Sequence, residues 1–160
     1  MAQALDETDV LLLNELQTDA DRPNVELARI AGLSPAATLN RVRRLKESGV
    51  IEGIRAKVNE TAAGFGLCVY VSVTLGAHEE ALERRFQAVV HELPEVTAAA
   101  WVAGETDALL TVVARDLAEL QRVLVALSTR GGAQRVVTLL RLRALKPDSP
   151  LPLGASRRLR

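Results

Sequence analysis

Residues 31–51 read AGLSPAATLNRVRRLKESGVI. Ser34 followed by Pro35 is the pattern of an N-cap and a first helical residue. The hydroxyl accepts from a backbone N–H that has no partner inside the helix, and proline's fixed φ suits a position where no N–H is needed. Gly49 fits the residue that follows the last turn. Between them, at 100° per residue, Leu39, Val42 and Leu45 point one way with Thr38 beside them. The opposite face carries Ala37, Asn40 and Arg44, flanked by Arg41 and Arg43. This reads as an amphipathic helix whose outer face is basic, with small residues near its N-terminal end that allow close approach to a groove. A basic run on a helix is also what the solvated face of a generic three-helix bundle looks like, so the flanking sequence has to decide.

Upstream, residues 5–9 read LDETD. Asp6 fits an N-cap, Glu7 and Asp9 are acidic residues in the positive first turn, and Leu5 and Val10 occupy the two positions of a hydrophobic staple. Val10, Leu13 and Leu16 continue an apolar stripe to about Thr18. After a polar break at 19–23, Asn24 can cap a short second helix with Leu27 and Ile30 inward. Gly32 stands where a tight turn needs a positive φ. Two helices, a glycine-containing turn and a basic amphipathic helix form a helix-turn-helix pattern, in which the third helix enters the major groove of DNA. The expected contacts are Ser34, Ala37, Asn40, Arg41, Arg43 and Arg44.

The charge distribution supports a local nucleic-acid surface. Twenty basic and twenty acidic residues leave the 160-residue chain formally neutral. Yet residues 1–28 sum to −6, 29–57 to +5, 58–133 to −5 and 134–160 to +6. Phosphate attraction is screened within about 8–10 Å, so a basic block counts even on a neutral molecule. Aromatics are scarce, and the core has to come from Leu, Val and Ala. The single cysteine, Cys68, excludes an internal disulfide. The first residues lack the basic and apolar regions of a signal peptide, and no apolar run is long enough to span a bilayer. A soluble, cytoplasmic chain without membrane association is expected.

Residues 50–59 (VIEGIRAKVN) read as an extended hinge strand and 60–66 (ETAAGFG) as a linker, which places domain boundaries at 1–49, 50–66 and 67–146. From Leu67 to Leu75, apolar residues alternate with Cys68, Tyr70, Ser72 and Thr74, the mark of a strand with one face in a core. A helix over 78–93 is buried through Leu82, Phe86, Val89 and Leu93, and Pro94 stops it. Strands follow over 96–103 and 108–114, separated by GETD. A second helix is lined by Leu117, Leu120, Leu124 and Leu127, and a last strand covers 135–146. The order βαββαβ is that of a ferredoxin-like α+β domain. Its two helices cover one face of the sheet. The other face, with Tyr70, Cys68 and Trp101 as expected members, calls for a second subunit, so a homodimer is expected. Residues 147–160, with Pro147, Pro150, Pro152 and then Arg157, Arg158 and Arg160, read as an extended or mobile basic arm.

Catalytic and metal constellations do not emerge. The segment 78–82 (HEEAL) lacks the second histidine of a zinc HExxH motif, and there is no Walker loop and no cysteine pair. An enzyme is not expected, nor is a metal or cofactor.

Taken together, LDETDVLLLNELQTDADRPNVELARIAGLSPAATLNRVRRLKESGVIEG and VAGETDALLTVVARDLAELQRVL resemble the leucine-responsive regulatory protein/AsnC family of feast/famine transcription regulators. The resemblance runs from Leu5 to Lys146. It implies an N-terminal DNA-binding domain, a C-terminal domain that binds an effector and dimerises through its sheet, and further assembly, often to octamers. It also implies an amino-acid effector near the G-x-x-D loop, here Gly104, Glu105, Thr106 and Asp107, with Trp101 from the strand before it and Thr138 and Leu139 from the last strand. In that role Asp107 would pair with the ammonium, and backbone N–H groups near Gly104 would hold the carboxylate. A plain hairpin turn is the other reading of the same four residues. Gly131-Gly132 replaces the family's frequent Pro-Gly, and Val136 stands where a hydroxyl residue is common. The expected function is a DNA-binding regulator responsive to an amino acid. The alternative is an effector-independent architectural protein that bends or wraps DNA; a regulatory subunit of an amino-acid enzyme would leave the basic helix without a role.

Overall fold

The computed structural model describes residues 5–76 and 79–154. They form two compact units, one taking the chain up to Ala56 together with the segment from Lys146, the other running Lys57–Leu145.

The first unit holds α1 (Glu7–Thr18), α2 (Asn24–Ala31) and α3 (Pro35–Glu47). Asp6 caps α1 in a reciprocal capping box: its carboxylate accepts from the Asp9 N–H at 2.7 Å while the Asp9 carboxylate accepts from the Asp6 N–H. Ser34 caps α3 by accepting from the Ala37 N–H, with Pro35 at the first helical position. Gly32 turns the chain between α2 and α3 at φ 65°, a left-handed conformation in which a side chain would be strained. Asn24 departs from its expected role. Pro23 precedes the helix as its N-cap, Asn24 is the first helical residue, and its amide donates to the Pro35 carbonyl at 2.9 Å, tying the start of α2 to the start of α3. Leu12, Leu13, Leu27, Ala28, Thr38 and Leu45 form the buried interior.

Residues 50–59 do not form the expected hinge strand; they belong to no sheet, and a turn over 60–64 follows. The second unit then builds β1 (Leu67–Leu75), α4 (Glu80–Glu92), β2 (Val96–Trp101), β3 (Ala108–Ala114), α5 (Leu117–Thr129) and β4 (Ala133–Leu140). His78, which was expected to open α4, lies outside the described residues. The sheet is antiparallel with order β2-β3-β1-β4, the ferredoxin-like arrangement. As the alternation in β1 predicts, Val69, Val71, Val73 and Leu75 face the helices, where they pack with Phe86, Leu110, Val112, Val123 and Leu127.

Several boundaries differ from the expected ones. β2 ends at Trp101, two residues early. β4 begins at Ala133 and ends at Leu140; beyond it Leu142 and Leu145 are almost fully exposed, with nothing to pack against. The segment from Pro147 does not stand off as an arm. Its described part lies on α1, where Asn14 donates to the Leu153 carbonyl and Gln17 bonds Leu151. Arg157, Arg158 and Arg160 lie outside the described residues.

Candidate DNA interface and effector region

Helix α3 is rotated relative to the expected face. Thr38 and Leu45 are buried, Val42 is half-buried, and Leu39 is 50% exposed rather than inward. Thr38 can be buried because its hydroxyl donates to the Ser34 carbonyl at 3.1 Å. The rotation turns Arg41 and Arg44 toward α1. Arg41 donates to Asp6 at 2.6 Å and to Asp9 at 2.9 Å, and Arg44 donates to both oxygens of Asp9. Arg44 stays at the surface, as helical spacing predicts, and Arg41 is half-buried, but both are held in ion pairs. Their charges are balanced by two carboxylates at the positive end of α1. The hydrogen bond from Arg41, with that from the Asp9 N–H, lowers the pKa of the Asp6 carboxyl. The Arg41 guanidinium is correspondingly raised by its bonds to Asp6 and Asp9.

The solvent face of α3 carries Ala36, Leu39, Asn40, Arg43 and Glu47, with Lys46 toward its C-terminal end and the paired Arg44 at its margin, 46% exposed. Among the described residues no ion pair holds Arg43 or Lys46. Ser34 is exposed but engaged in capping, and Ala37 is half-buried. Sequence spacing missed Ala36 and Leu39 as surface residues. The signal that would have found them is the acidic pair Asp6 and Asp9: a carboxylate on the buried side of α1 needs cations opposite it. Arg41 and Arg44, three residues apart, are the pair of cations that can meet it from one side of α3.

In the second unit, the loop from Gly104 to Asp107 is stitched onto the end of β1. The Thr106 hydroxyl and the Asp107 N–H both donate to the Val73 carbonyl, at 2.7 and 2.9 Å. The Leu75 N–H in turn donates to the Asp107 carboxylate at 2.7 Å. Gly104 sits at φ 149°, in a region side chains rarely adopt, with open space around the position of a Cβ; the backbone there can be approached closely. Glu105 is exposed.

Trp101 does not lie on the open face of the sheet. It pairs with buried Ala108 on the helix side, and its ring centroid is 5.7 Å from that of Phe86. One row across the sheet is Trp101, Ala108, Val73 and Val136; Thr138 pairs with Val71, two pairs further from the loop. Loop and Thr138 thus lie on opposite sides of β1, and Thr138 and Leu139 point to opposite faces. Within one chain these residues are not gathered into a single pocket. Val136 is partly buried against the core. Gly131 is buried, its N–H donates to Ala126, and a Cβ would fall 2.4 Å from the Leu127 carbonyl oxygen. A proline at this position would forfeit that bond.

The open face carries Tyr70, Leu109 and Leu139, each about half exposed, with Tyr70 paired directly to Leu139. Cys68 is on this face too, nearly covered, and burial raises its thiol pKa. No described helix is long and apolar enough to cross a membrane.

A helix-turn-helix unit ahead of a four-stranded α+β unit is the make-up of a DNA-binding transcription regulator with a ligand-binding domain. Comparison with known proteins agrees in both halves: the AsnC-type helix-turn-helix domain matches residues 5–46 and the Lrp/AsnC ligand binding domain matches residues 68–151. The chain belongs to the Lrp/AsnC family. The leucine-responsive regulatory protein of Rhizobium meliloti is 40% identical over 143 residues, 89% of this chain and 92% of that protein. The regulator AldR of Mycolicibacterium smegmatis is 35% identical over 150 residues, 91% of this chain and 88% of that one. Among solved structures, a transcriptional regulator from Neisseria meningitidis in complex with L-Met superposes with a TM-score of 0.86 at 30% identity, covering 94% of this chain and 98% of that one.

Proposed function

We infer that this regulator binds DNA sequence-specifically as a homodimer or larger assembly, an octamer included, and that an amino acid modulates it. The observation that carries the DNA part is the exposed face of α3, where Arg43 and Lys46 stand outside the ion pairs of the described residues. Asn40 and Arg43 are exposed there beside Ala36 and Leu39, a set suited to base edges, phosphates and thymine methyl groups. Ser34 and the first turn of α3 would meet the backbone, as helix N-termini do. Arg41 and Arg44 serve chiefly to hold α3 in place.

The apolar patch of Tyr70, Leu109 and Leu139 supports burial of the open face against a second copy. Such an assembly is also what the effector reading requires. Gly104, Glu105, Thr106, Asp107 and Trp101 lie toward one side of the sheet and Thr138 and Leu139 at its other edge, so a shared pocket needs residues from more than one chain. The similar Neisseria regulator, which holds L-Met, makes an amino acid the effector class to test first. In this reading the Asp107 carboxylate accepts from the ammonium.

The architectural alternative keeps one observation in its favour: Thr106 and Asp107 are engaged in hydrogen bonds to the end of β1. Calorimetry with the twenty amino acids, followed by mobility shifts on DNA upstream of the protein's own gene, separates the two. Saturable binding that changes the DNA shift supports the amino-acid reading. Binding of DNA with no response to any amino acid at millimolar concentration supports the architectural one.

A further inference from the structure

Residues 146–154 belong to the same compact unit as the helix-turn-helix, although they follow the α+β unit in sequence. Their contact with α1 has a definite chemistry. The segment reads Pro150-Leu151-Pro152-Leu153. Two of these four residues are prolines without an N–H, so Leu151 offers the one backbone donor between them. Gln17 captures it: the side-chain carbonyl accepts from the Leu151 N–H at 2.6 Å, and the side-chain amide donates to the Leu151 carbonyl at 3.3 Å. A single side chain thus pairs with both polar groups of one residue, as a neighbouring strand would. One turn earlier on the same face of α1, Asn14 donates to the Leu153 carbonyl at 3.2 Å. Leu151 and Leu153 also line a groove of about 450 Å³ with Leu5, Leu13, Leu16 and Ile51.

We propose that Asn14 and Gln17 form a docking site for the chain's own proline-flanked segment, and that this docking is a reversible second tether between the two units. The first tether is the chain at Ala56–Lys57; the second passes through Leu145–Lys146. Reversibility follows from how the segment is held. Leu151 is 68% exposed, both of its hydrogen bonds to half-buried Gln17 lie at the surface, and the preceding Leu142 and Leu145 are almost fully exposed. Three prolines in 147–152 lower the entropy lost when the segment docks, which lets so few contacts hold it. The occupant is this segment of the same chain; recognition through the Leu151 main chain makes the spacing of the prolines the specificity element.

Hydrogen exchange followed by NMR on the full chain tests this. The Leu151 amide should exchange about tenfold or more slower than an unstructured amide, yet about a hundredfold faster than the Leu12 and Leu45 amides of the helical core. Gln17→Ala should return Leu151 to the unstructured rate and leave the α3 amides unchanged. An unprotected Leu151 in the wild type would remove the docking site. Protection equal to that of Leu45 would make the segment an integral part of the fold and overturn reversibility, and protection that survives Gln17→Ala would assign the anchor elsewhere. Should Gln17→Ala disturb α1, Leu151→Pro removes the N–H from the other side. The side-chain amide resonances of Asn14 and Gln17 should then move to solvent values, and unmoved resonances would overturn the proposal.

Discussion

Arg44 grips both carboxylate oxygens of Asp9, at 2.8 and 2.7 Å, and the Asp9 side chain it grips is 1% exposed. Arg41 adds a third bond to the same carboxylate. An acid buried this completely is tolerated because every oxygen has a cationic donor. Asp9→Ala should therefore destabilise the helix-turn-helix unit by about 1.5–3 kcal/mol, the range for hydrogen bonds to charged groups. The two arginines regain water, which keeps the loss below that of a fully buried pair. Thermal denaturation followed on the N-terminal unit measures it; an unchanged midpoint would mean that the contact contributes nothing net.

Acid should loosen the neighbouring Asp6–Arg41 contact. The bond from Arg41 lowers the folded pKa of Asp6 below its unfolded value near 3.9. The associated stability is fully present above that unfolded value and is lost as pH falls through the folded pKa. A stability profile between pH 5 and pH 2 should fall in wild type and fall less in Asp6→Asn, which keeps a capping side chain. Parallel profiles would assign the acid response to other carboxylates.

On DNA, the rotation of α3 reorders the expected mutational effects. Arg43→Ala should weaken specific binding by about 1–3 kcal/mol if it reads a base, with relaxed preference at one position. A phosphate contact would instead give a uniform loss and a salt slope reduced by about one. Arg44→Ala should act mainly through stability, so its effect on affinity should shrink when temperature is lowered well below the unfolding transition. Titrations at two salt concentrations and two temperatures distinguish these outcomes, and a folded Arg43→Ala protein with full affinity would contradict the assigned face.

For the effector, Asp107→Asn is the informative change. The amide oxygen can still accept from Leu75, whereas the charge that would meet an ammonium is gone. Amino-acid affinity should fall about a hundredfold, roughly 2.7 kcal/mol. Calorimetry that shows equal affinity in both proteins would remove Asp107 as the anchor.

Gly131 offers a stability test within the α+β unit. A Cβ there would meet the Leu127 oxygen at 2.4 Å and the Phe86 ring at 3.0 Å. Gly131→Ala should cost about 1–3 kcal/mol through forced displacement of α5 or Phe86. Chemical denaturation with unchanged slope is the expected signature.

Much of this architecture was legible because its signals are local. Asp6, Ser34, Pro35 and Gly32 act through neighbours within three or four residues, and the alternation over Leu67–Leu75 places those residues on one face without knowing what they pack against. The orientation of α3 was not legible from its own spacing. Leu39 and Arg44 each belong to a face by periodicity, but the face that turns inward is chosen by Asp9 on another helix. The same limit applies to Trp101 and to the segment around Leu151. A large aromatic at the end of an edge strand can lie on either side of the sheet, and Phe86 decides it. A proline-rich stretch has no periodicity that would reveal a binding partner on α1.

The charge balance around Asp9 also ties three positions into one heritable unit. A change that neutralises Asp9 would release Arg44 from its carboxylate, leave Arg41 with Asp6 alone, and free positive charge beside the proposed DNA-reading face. The same substitution would thus loosen the fold and raise indiscriminate attraction to phosphate. Selection for a specific regulator opposes both effects at once. Related sequences should therefore exchange these three residues jointly or not at all, and a suppressor of an Asp9 defect should map to Arg41 or Arg44.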